Sequence, residues 1–288
     1  MNSKILEIVN AKGRTAYNPT IPFEDGGQTY MGVRVESLDS ELDSRTYFAN
    51  NLKLNRWGIN YSLPSFPLQD PSIMRIKEEL WLTGVKVRDY KGRRVKWNQE
   101  FYRGNSIKNL EYLFSGPLGM KDICLVDLES KIGVFVRPQG KIGGLGRIGY
   151  LEVRDIDELQ RLSETDWYGA PLINGLFENG TWGGVNQAQG LPDGTIGVIG
   201  HKAYKEIYRG DLIKHYFAIS FIFDPKSNEA RDLVIIARRS DFPSSSSKRS
   251  PELDDVVYPS GRYGKSELYC GLSDFSIGVK DIVNPLFI

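Results

Sequence analysis

Histidine and cysteine are both scarce in this chain, with two of each among 288 residues. Two imidazoles are too few for a zinc hydrolase built on several His ligands, and Cys124 and Cys270 have no metal-type spacing. Net charge is missing as well, since 37 Lys and Arg against 36 Asp and Glu leave only +1. No global field favours nucleic acid or an anionic membrane, so any cationic chemistry has to be local. Long apolar runs are absent: Met1 to Glu7 lacks the core of a secretory signal, and no later segment reaches transmembrane length. The expectation is a cytoplasmic, reduced protein. Amphipathic helical patterns are rare, the best being residues 152–164, where Ile156, Leu159 and Leu162 fall at helical spacing.

Glycine, at 30 residues, and aromatics, at 11% with 15 Tyr, are abundant. Together with β-branched residues they predict many short strands joined by tight turns. A degenerate unit recurs at Met31-Gly32-Val33, Thr83-Gly84-Val85, Ile132-Gly133-Val134, Ile196-Gly197-Val198 and Ile277-Gly278-Val279, with its glycines 52, 49, 64 and 81 residues apart. Turn signals precede the middle three at Lys77-Glu78-Glu79, Leu128 to Lys131 and Pro192-Asp193-Gly194. Strands recurring at such a period predict an all-β fold, a five-bladed β-propeller formed as one domain over residues 1–288. Residues 4–10 are expected to pair with the C-terminal strands and close the ring, because closure removes exposed sheet edges. The stretch 242–251, centred on Ser244 to Ser247, reads as too polar to pack and as a flexible loop between strands.

Asp70 lies in Ser65-Phe66-Pro67-Leu68-Gln69-Asp70-Pro71-Ser72. Pro71 pushes Asp70 out of the helical region, so stiff extended backbone presents the carboxylate. Such a carboxylate suits a general acid, and equally an ordinary Asx-turn. Gly144-Leu145-Gly146-Arg147-Ile148-Gly149 matches a dinucleotide fingerprint, but that site needs a helix next, and Tyr150 to Arg154 alternates as a strand. The same loop sets Arg137, Lys141 and Arg147 among four glycines, which makes either an anion cradle or a solvated hairpin tip. Residues 183–204 predict a hairpin turning at Asp193-Gly194 that brings Asn186 and His201 to one mouth near Tyr204. His201 there either donates to an anion or caps a strand end. Polar runs at Arg34 to Glu36 with Asp39 to Ser44, and Asp274 just past a strand, complete the candidates.

Arg34-Val35-Glu36 with Asp39 to Ser44, Gln69-Asp70-Pro71-Ser72, Arg137-Pro138-Gln139-Gly140, Gly184-Val185-Asn186-Gln187 with Ile199-Gly200-His201, and Tyr269-Cys270-Gly271-Leu272-Ser273-Asp274 occur in that order. Together they resemble the β-1,2-mannosyltransferase and β-mannoside phosphorylase family, glycosyltransferase family 108. Its relatives are the mannoside phosphorylases of glycoside hydrolase family 130. The resemblance implies a five-bladed β-propeller with a central active-site pocket. It also implies an inverting enzyme with one carboxylic acid, in which phosphate replaces the water and general base of a hydrolase. Inorganic phosphate is then a co-substrate, with no other cofactor and no metal expected.

Carried onto this chain, the resemblance makes Asp70 the acid, protonating the glycosidic oxygen through a hydroxyl of the bound mannose. Arg137, His201 and Tyr204 become phosphate ligands, with Lys141 and Arg147 as further ones. Arg34, Asp43, Asn186 and Asp274 become mannose ligands, Arg34 alternatively reaching the anion. Ser72 stands where family 130 members carry Arg in Glu-Asp-Pro-Arg, a departure that favours the family 108 side. The expected activity is reversible transfer of mannose between α-mannose 1-phosphate and β-1,2-linked mannooligosaccharides, with GDP-mannose as the donor in some relatives. The expected partners are these sugars and phosphate, not nucleic acid or a membrane. Two alternatives stand beside it: an inverting β-mannosidase of the same fold, which needs a second carboxylate placed for water, and a non-catalytic carbohydrate-binding propeller.

Overall fold

Residues 2–88 and 96–283 are described by the structure, a computed structural model. Two short strands, β1 (Ser3–Ile5) and β2 (Glu7–Val9), lead into β3 (Thr15–Pro19), β4 (Phe23–Asp25), β5 (Gln28–Glu36), β6 (Arg45–Lys53) and β7 (Arg56–Ile59). Next come β8 (Gln69–Ile76), β9 (Glu79–Arg88), β10 (Lys96–Gly104) and β11 (Glu111–Ser115), then β12 (Cys124–Asp127), β13 (Ile132–Val136) and β14 (Gly149–Val153). The second half holds β15 (Trp182–Gly190), β16 (Ile196–Tyr208), β17 (Asp211–Asp224), β18 (Glu229–Ala237), β19 (Asp255–Tyr263), β20 (Glu267–Leu272) and β21 (Ser276–Asp281). Among the described residues α-helix is confined to α1 (Gly140–Gly143), α2 (Ile156–Arg161) and α3 (Glu164–Gly169). The helix predicted over 152–164 is therefore broken. Glu152 and Val153 end β14, the Asp155 side chain caps α2, and the Ser163 side chain caps α3. No helix among the described residues is long and apolar enough to cross a membrane.

The strands form four hydrogen-bonded sheets. One runs β2-β7-β6-β5-β3 with β4 on β5; the second is β11-β10-β9-β8; the third is β12-β13-β14. The fourth joins an antiparallel run, β15-β16-β17 with β18 on β17, to a second run, β19-β20-β21-β1. Among the described residues the ladder joining the two runs is one short parallel pairing, His215 with Asp255 and Tyr216 with Val256. The first four recurring glycines mark β5, β9, β13 and β16, each the partner of the strand that begins its run; Gly278 lies instead in β21. The N-terminal piece, expected to pair over residues 4–10 with the C-terminal strands, does so only in its first part: β1 pairs antiparallel with β21, whereas β2 pairs parallel with β7 of the first sheet.

Successive side chains on a strand point to opposite faces, so a strand between two neighbours feeds two cores. In β13, Ile132, Val134 and Val136 pack with Trp81 and Phe101, while Phe135 packs with Val198, Phe221 and Phe223. That is why β13 reads as an unbroken apolar run, with every residue buried. In β9, Trp81 faces one neighbour and Leu80 and Leu82 the other. In β20, Tyr269 packs with Met31 and Val33 while Leu268, Cys270 and Leu272 pack with Ile199 and Ala218. Five such cores lie between consecutive runs, and the last returns to the first. The strands β3, β8, β12, β15 and β19 lie innermost: β8 contacts β3 and β12, β15 contacts β12 and β19, and β19 contacts β3 again.

The polar stretch 242–251, expected to be a flexible loop too polar to pack, is mostly exposed but anchored at two points. Phe242 is buried, and the Lys248 side chain is only 3% exposed. The Arg239 guanidinium ties it down, donating to the Ser245 and Ser273 hydroxyls and to the Phe242 and Pro243 carbonyls, while Ser247 Oγ is buried without a partner.

Candidate active site

The five innermost strands bring polar residues to two adjoining pockets that share Asn18, Asp70 and Tyr258, and irregular backbone aims them there. The β3–β5 register slips between Tyr17 and Pro19, β8–β9 between Gln69 and Ser72, β15–β16 between Val185 and Gln187, and β19–β20 between Pro259 and Gly261. These bulges hold Asn18, Asp70 with Pro71, Asn186 and Ser260. A bulge breaks the ladder and turns a side chain out of its alternation, and Pro71 removes a donor that a regular ladder would need. Asn18, Asp70, Asp122 and Asp274 all have left-handed backbone, with φ of 41°, 46°, 57° and 49°. Gly84 opposes the second bulge, where a Cβ would meet the Gln69 carbonyl and the Leu68 side chain. The close approach of β8 and β9 beside Asp70 therefore depends on a residue without a side chain.

Asp70, its side chain 10% exposed, lies in the pocket it shares with Asn18, Arg34, Lys121, Tyr258 and Asp274. Asn18 Nδ2 donates to Asp70 Oδ1 at 2.7 Å, and Arg34 Nη1 donates to the same oxygen at 2.9 Å. Burial pushes the carboxyl up, but the Arg34 and Lys121 charges and these hydrogen bonds outweigh it and hold Asp70 below its ordinary value. Asp274 goes the other way. Its burial, reinforced by the Asp70, Glu41 and Glu36 charges against the pull of Arg34, raises it to about 6. Behind Arg34, its Nη2 lies 2.7 Å from Glu36 Oε2; Glu36 in turn accepts from the Tyr17 hydroxyl and from Lys248.

A second charged cluster adjoins the first. Asp122 accepts from Arg137 Nη1 at 2.8 Å and from the Tyr258 hydroxyl at 3.0 Å, with His201 Nε2 at 3.8 Å. Burial opposes its ionisation, but Arg137, Lys121, His201 and the Tyr258 bond bring Asp122 down to about 2. His201 is 1% exposed, and burial lowers it to about 3, so the ring is neutral near pH 7. It donates from Nδ1 to Asn186 Oδ1 at 2.9 Å, orienting an amide that lines the cavity beside Asp70 and Tyr258.

Six of the residues singled out from the sequence thus belong to one site: Asp70, Arg34, Asn186 and Asp274 line it, and Arg137 and His201 stand behind Asp122 and Asn186. Four lie elsewhere. Asp43 is exposed and holds a loop, accepting from the Ser37 hydroxyl and from Arg14 at 2.6 Å each. Tyr204 points along the β16–β17 hairpin, where its ring stacks on His215 at 4.4 Å. Lys141 and Arg147 are exposed on the glycine-rich loop, where Gly140–Gly143 form one helical turn and strand β14 follows. Asn18, Lys121, Asp122 and Tyr258 were missed. Asn18-Pro19 repeats the Asp70-Pro71 pattern, an Asx-Pro at the end of an innermost strand, and could have been found from that. Asp122 carries no such mark. Among the described residues no cluster of His, Cys, Asp and Glu is arranged to hold a metal ion.

Comparison with other proteins concerns the whole chain. Residues 1–287 match the family described as "Protein of unknown function (DUF1861)". The chain is similar to the structure of MPT-4, a mannose phosphorylase from Leishmania mexicana in complex with phosphate ion. They share 31% identity with a TM-score of 0.90, covering 100% of this chain and 89% of the other. It is also similar to MPT-1, a GDP-Man-dependent mannosyltransferase from Leishmania mexicana, at 29% identity and TM-score 0.88, over 100% and 90% of the two chains. A glycosyl hydrolase from Bacteroides ovatus shares the fold at 14% identity and TM-score 0.58, over 94% of this chain and 84% of that one. No curated protein matches. The chain belongs to the DUF1861 family and, with MPT-4 and MPT-1, to the mannosyltransferase and mannoside phosphorylase family that its motifs resemble, and is an enzyme of the glycosyltransferase or phosphorylase type.

Proposed function

We propose that this protein reversibly transfers mannose, with inversion, between α-mannose 1-phosphate and β-1,2-linked mannooligosaccharides, using Asp70 as acid in phosphorolysis and as base in synthesis. The observation that carries this reading is the Asp70 carboxylate, hydrogen-bonded by Asn18 and Arg34 in a cavity that also holds Lys121. An inverting phosphorylase needs one proton-transferring carboxylate and a cationic place for phosphate. The depressed Asp70 is ionised and ready to act as base. A phosphate dianion bound on Arg34 and Lys121 offsets their charge and raises Asp70 toward the protonated form that phosphorolysis requires. Arg137 and His201 act from behind, fixing Asp122 and Asn186. Asn186 and Asp274 then hold mannose hydroxyls. Asn18 Oδ1 is buried against Gly271, which leaves Nδ2 as the end of the amide that faces Asp70. The β-1,2 linkage rests on the sequence motifs.

The scaffold we propose is one five-bladed propeller spanning the chain, with the eight-stranded sheet counted as two blades divided at its two-residue parallel contact. Five innermost strands in a closed series and five cores between consecutive runs support it. A cytoplasmic setting is supported by the two buried free thiols, Cys124 and Cys270.

One observation favours a second reading. Asp274 shares the cavity with Asp70, and a hydrolase would use such a carboxylate to activate water. Phosphate release from α-mannose 1-phosphate with mannose or mannobiose as acceptor separates the two. Release by the wild type that falls by about 10²–10⁴-fold in Asp70→Asn supports the phosphorylase. Mannose freed from mannobiose without phosphate identifies the hydrolase, and guanosine diphosphate release from GDP-mannose identifies a sugar-nucleotide donor.

A further inference from the structure

Lys248 comes from the polar stretch after the 3₁₀ turn at Arg239–Asp241 yet ends among residues of the first sheet, 212 positions away in sequence from Glu36. Its side chain is 3% exposed and that of Glu36 is fully buried. The backbone holds it there, since Lys248 N donates to the Ser273 carbonyl at 3.0 Å, one residue from Asp274. Glu36 has one oxygen on Lys248 and the Tyr17 hydroxyl, and the other on Arg34 Nε at 2.9 Å. Arg34 then reaches Asp70 with Nη1 at 2.9 Å. Two cations and two carboxylates thus alternate in a buried line from a surface segment to the cavity.

We propose that Lys248 is a positioning residue that sets the charge balance at Asp70 through Glu36 and Arg34. This rests on the reading of Asp70 as the acid and base. With Lys248 present, Glu36 is neutralised from behind and the Arg34 charge is left to Asp70. Without it, one guanidinium serves two carboxylates, and the ionised form of Asp70 loses support. The other groups around Asp70 stay in place: Asn18 on β3, Lys121 ahead of β12, Tyr258 on β19 and Asp274 after β20, with Glu41, Lys214 and Arg249 on the same pocket wall and Asp122 and His201 beyond. A change confined to Lys248 therefore reports on the line itself.

The test is the pH profile of mannosyl transfer from α-mannose 1-phosphate to mannobiose, read as phosphate release. Wild type, Lys248→Met, Lys248→Gln and the double variant Glu36→Gln/Lys248→Met are compared over the same range, so that ionisation of the substrate cancels. Both neutral single variants are expected to move the acid limb upward by about one pH unit, with kcat falling more than KM. The double variant, which removes both charges, is expected to return the limb toward the wild-type position. Lys248→Gln keeps a donor to Glu36 and supplies the result if Lys248→Met does not fold. A limb that stays in place in the folded single variants, with only Tm and kcat reduced, overturns the inference and leaves Asp70 in its role. A wild type that releases no phosphate overturns the reading of the activity, and the inference with it.

Discussion

Asn18 and Asp70 stand on neighbouring innermost strands, each in left-handed backbone at a bulge, and are joined by a 2.7 Å hydrogen bond from amide to carboxylate. Left-handed backbone costs about 1–3 kcal/mol per non-glycine residue, less for Asn and Asp, and persists where surrounding structure enforces it. Four residues of this site, Asn18, Asp70, Asp122 and Asp274, adopt it. At Asn18 and Asp70 the ladder is interrupted beside the cavity, because a regular strand would point these side chains into the cores between sheets.

Asn18→Ala removes a donor to an ionised carboxylate. Such bonds are worth about 1.5–3 kcal/mol, so kcat/KM for transfer from α-mannose 1-phosphate should fall about 10–100-fold. The acid limb of the profile should also rise, because the ionised form of Asp70 loses a partner. Steady-state kinetics across pH checks both; an unchanged limb would mean that Asn18 only packs.

Gly271 backs Asn18 so closely that a Cβ there would run into the Asn18 side-chain oxygen. Gly271→Ala should therefore reduce activity nearly as much as Asn18→Ala while touching no reacting group. Kinetics of Gly271→Ala alone and combined with Asn18→Ala check this, since a shared cause predicts strong non-additivity.

Two groups should give opposite pH dependence of stability. His201 is lowered from 6.5 to about 3, so the folded state refuses a proton that the unfolded chain takes, and stability falls as pH drops below 6.5. Asp274 is raised from 3.8 to about 6, so the folded state keeps a proton that the unfolded chain gives up, and stability falls as pH rises from 3.8 to 6. Between about pH 4 and 6, where the two windows overlap, Asp274→Asn should steepen the acid loss of Tm and His201→Gln should flatten it. Thermal melts at several pH values decide the matter.

Arg137→Met leaves the buried Asp122 carboxylate without its main counter-charge. Breaking a buried pair from one side costs about 3–5 kcal/mol, so a large drop in Tm is expected. Asp43→Ala, which removes an exposed pair with Arg14, should cost about 1 kcal/mol or less and leave kcat unchanged. Melting and kinetics of the two variants side by side test whether the site includes the first and excludes the second.

Much of the site was legible because Asx-Pro dipeptides and polar residues next to apolar strand runs mark places where a ladder must break. Asp70, Asn186 and Asp274 were visible in that way. Asp43, Lys141, Arg147 and Tyr204 lie close in sequence to site residues yet lead elsewhere. One residue along a strand reverses the face a side chain meets, and an exposed loop does not fold back to the cavity merely because it is cationic. Lys248 was hidden for the converse reason: a serine-rich stretch reads as solvated, and its burial depends on Arg239, Ser273 and Glu36, which are distant in sequence.

By itself the sequence determined the secondary structure and its repetition: short strands, the glycines that let paired strands approach, and the turns between them. These are local properties, set by steric preference and by alternation along a strand. Tertiary structure alone decided which charges meet. Asn18 reaches Asp70 across 52 residues, Asp122 reaches Tyr258 across 136 and Lys248 reaches Glu36 across 212, because closing the ring of strands brings separate runs to one centre. Ionisation followed from that meeting. Asp70, Asp122 and Asp274 are the same residue type, and only burial weighed against their particular neighbours holds two down and lifts the third.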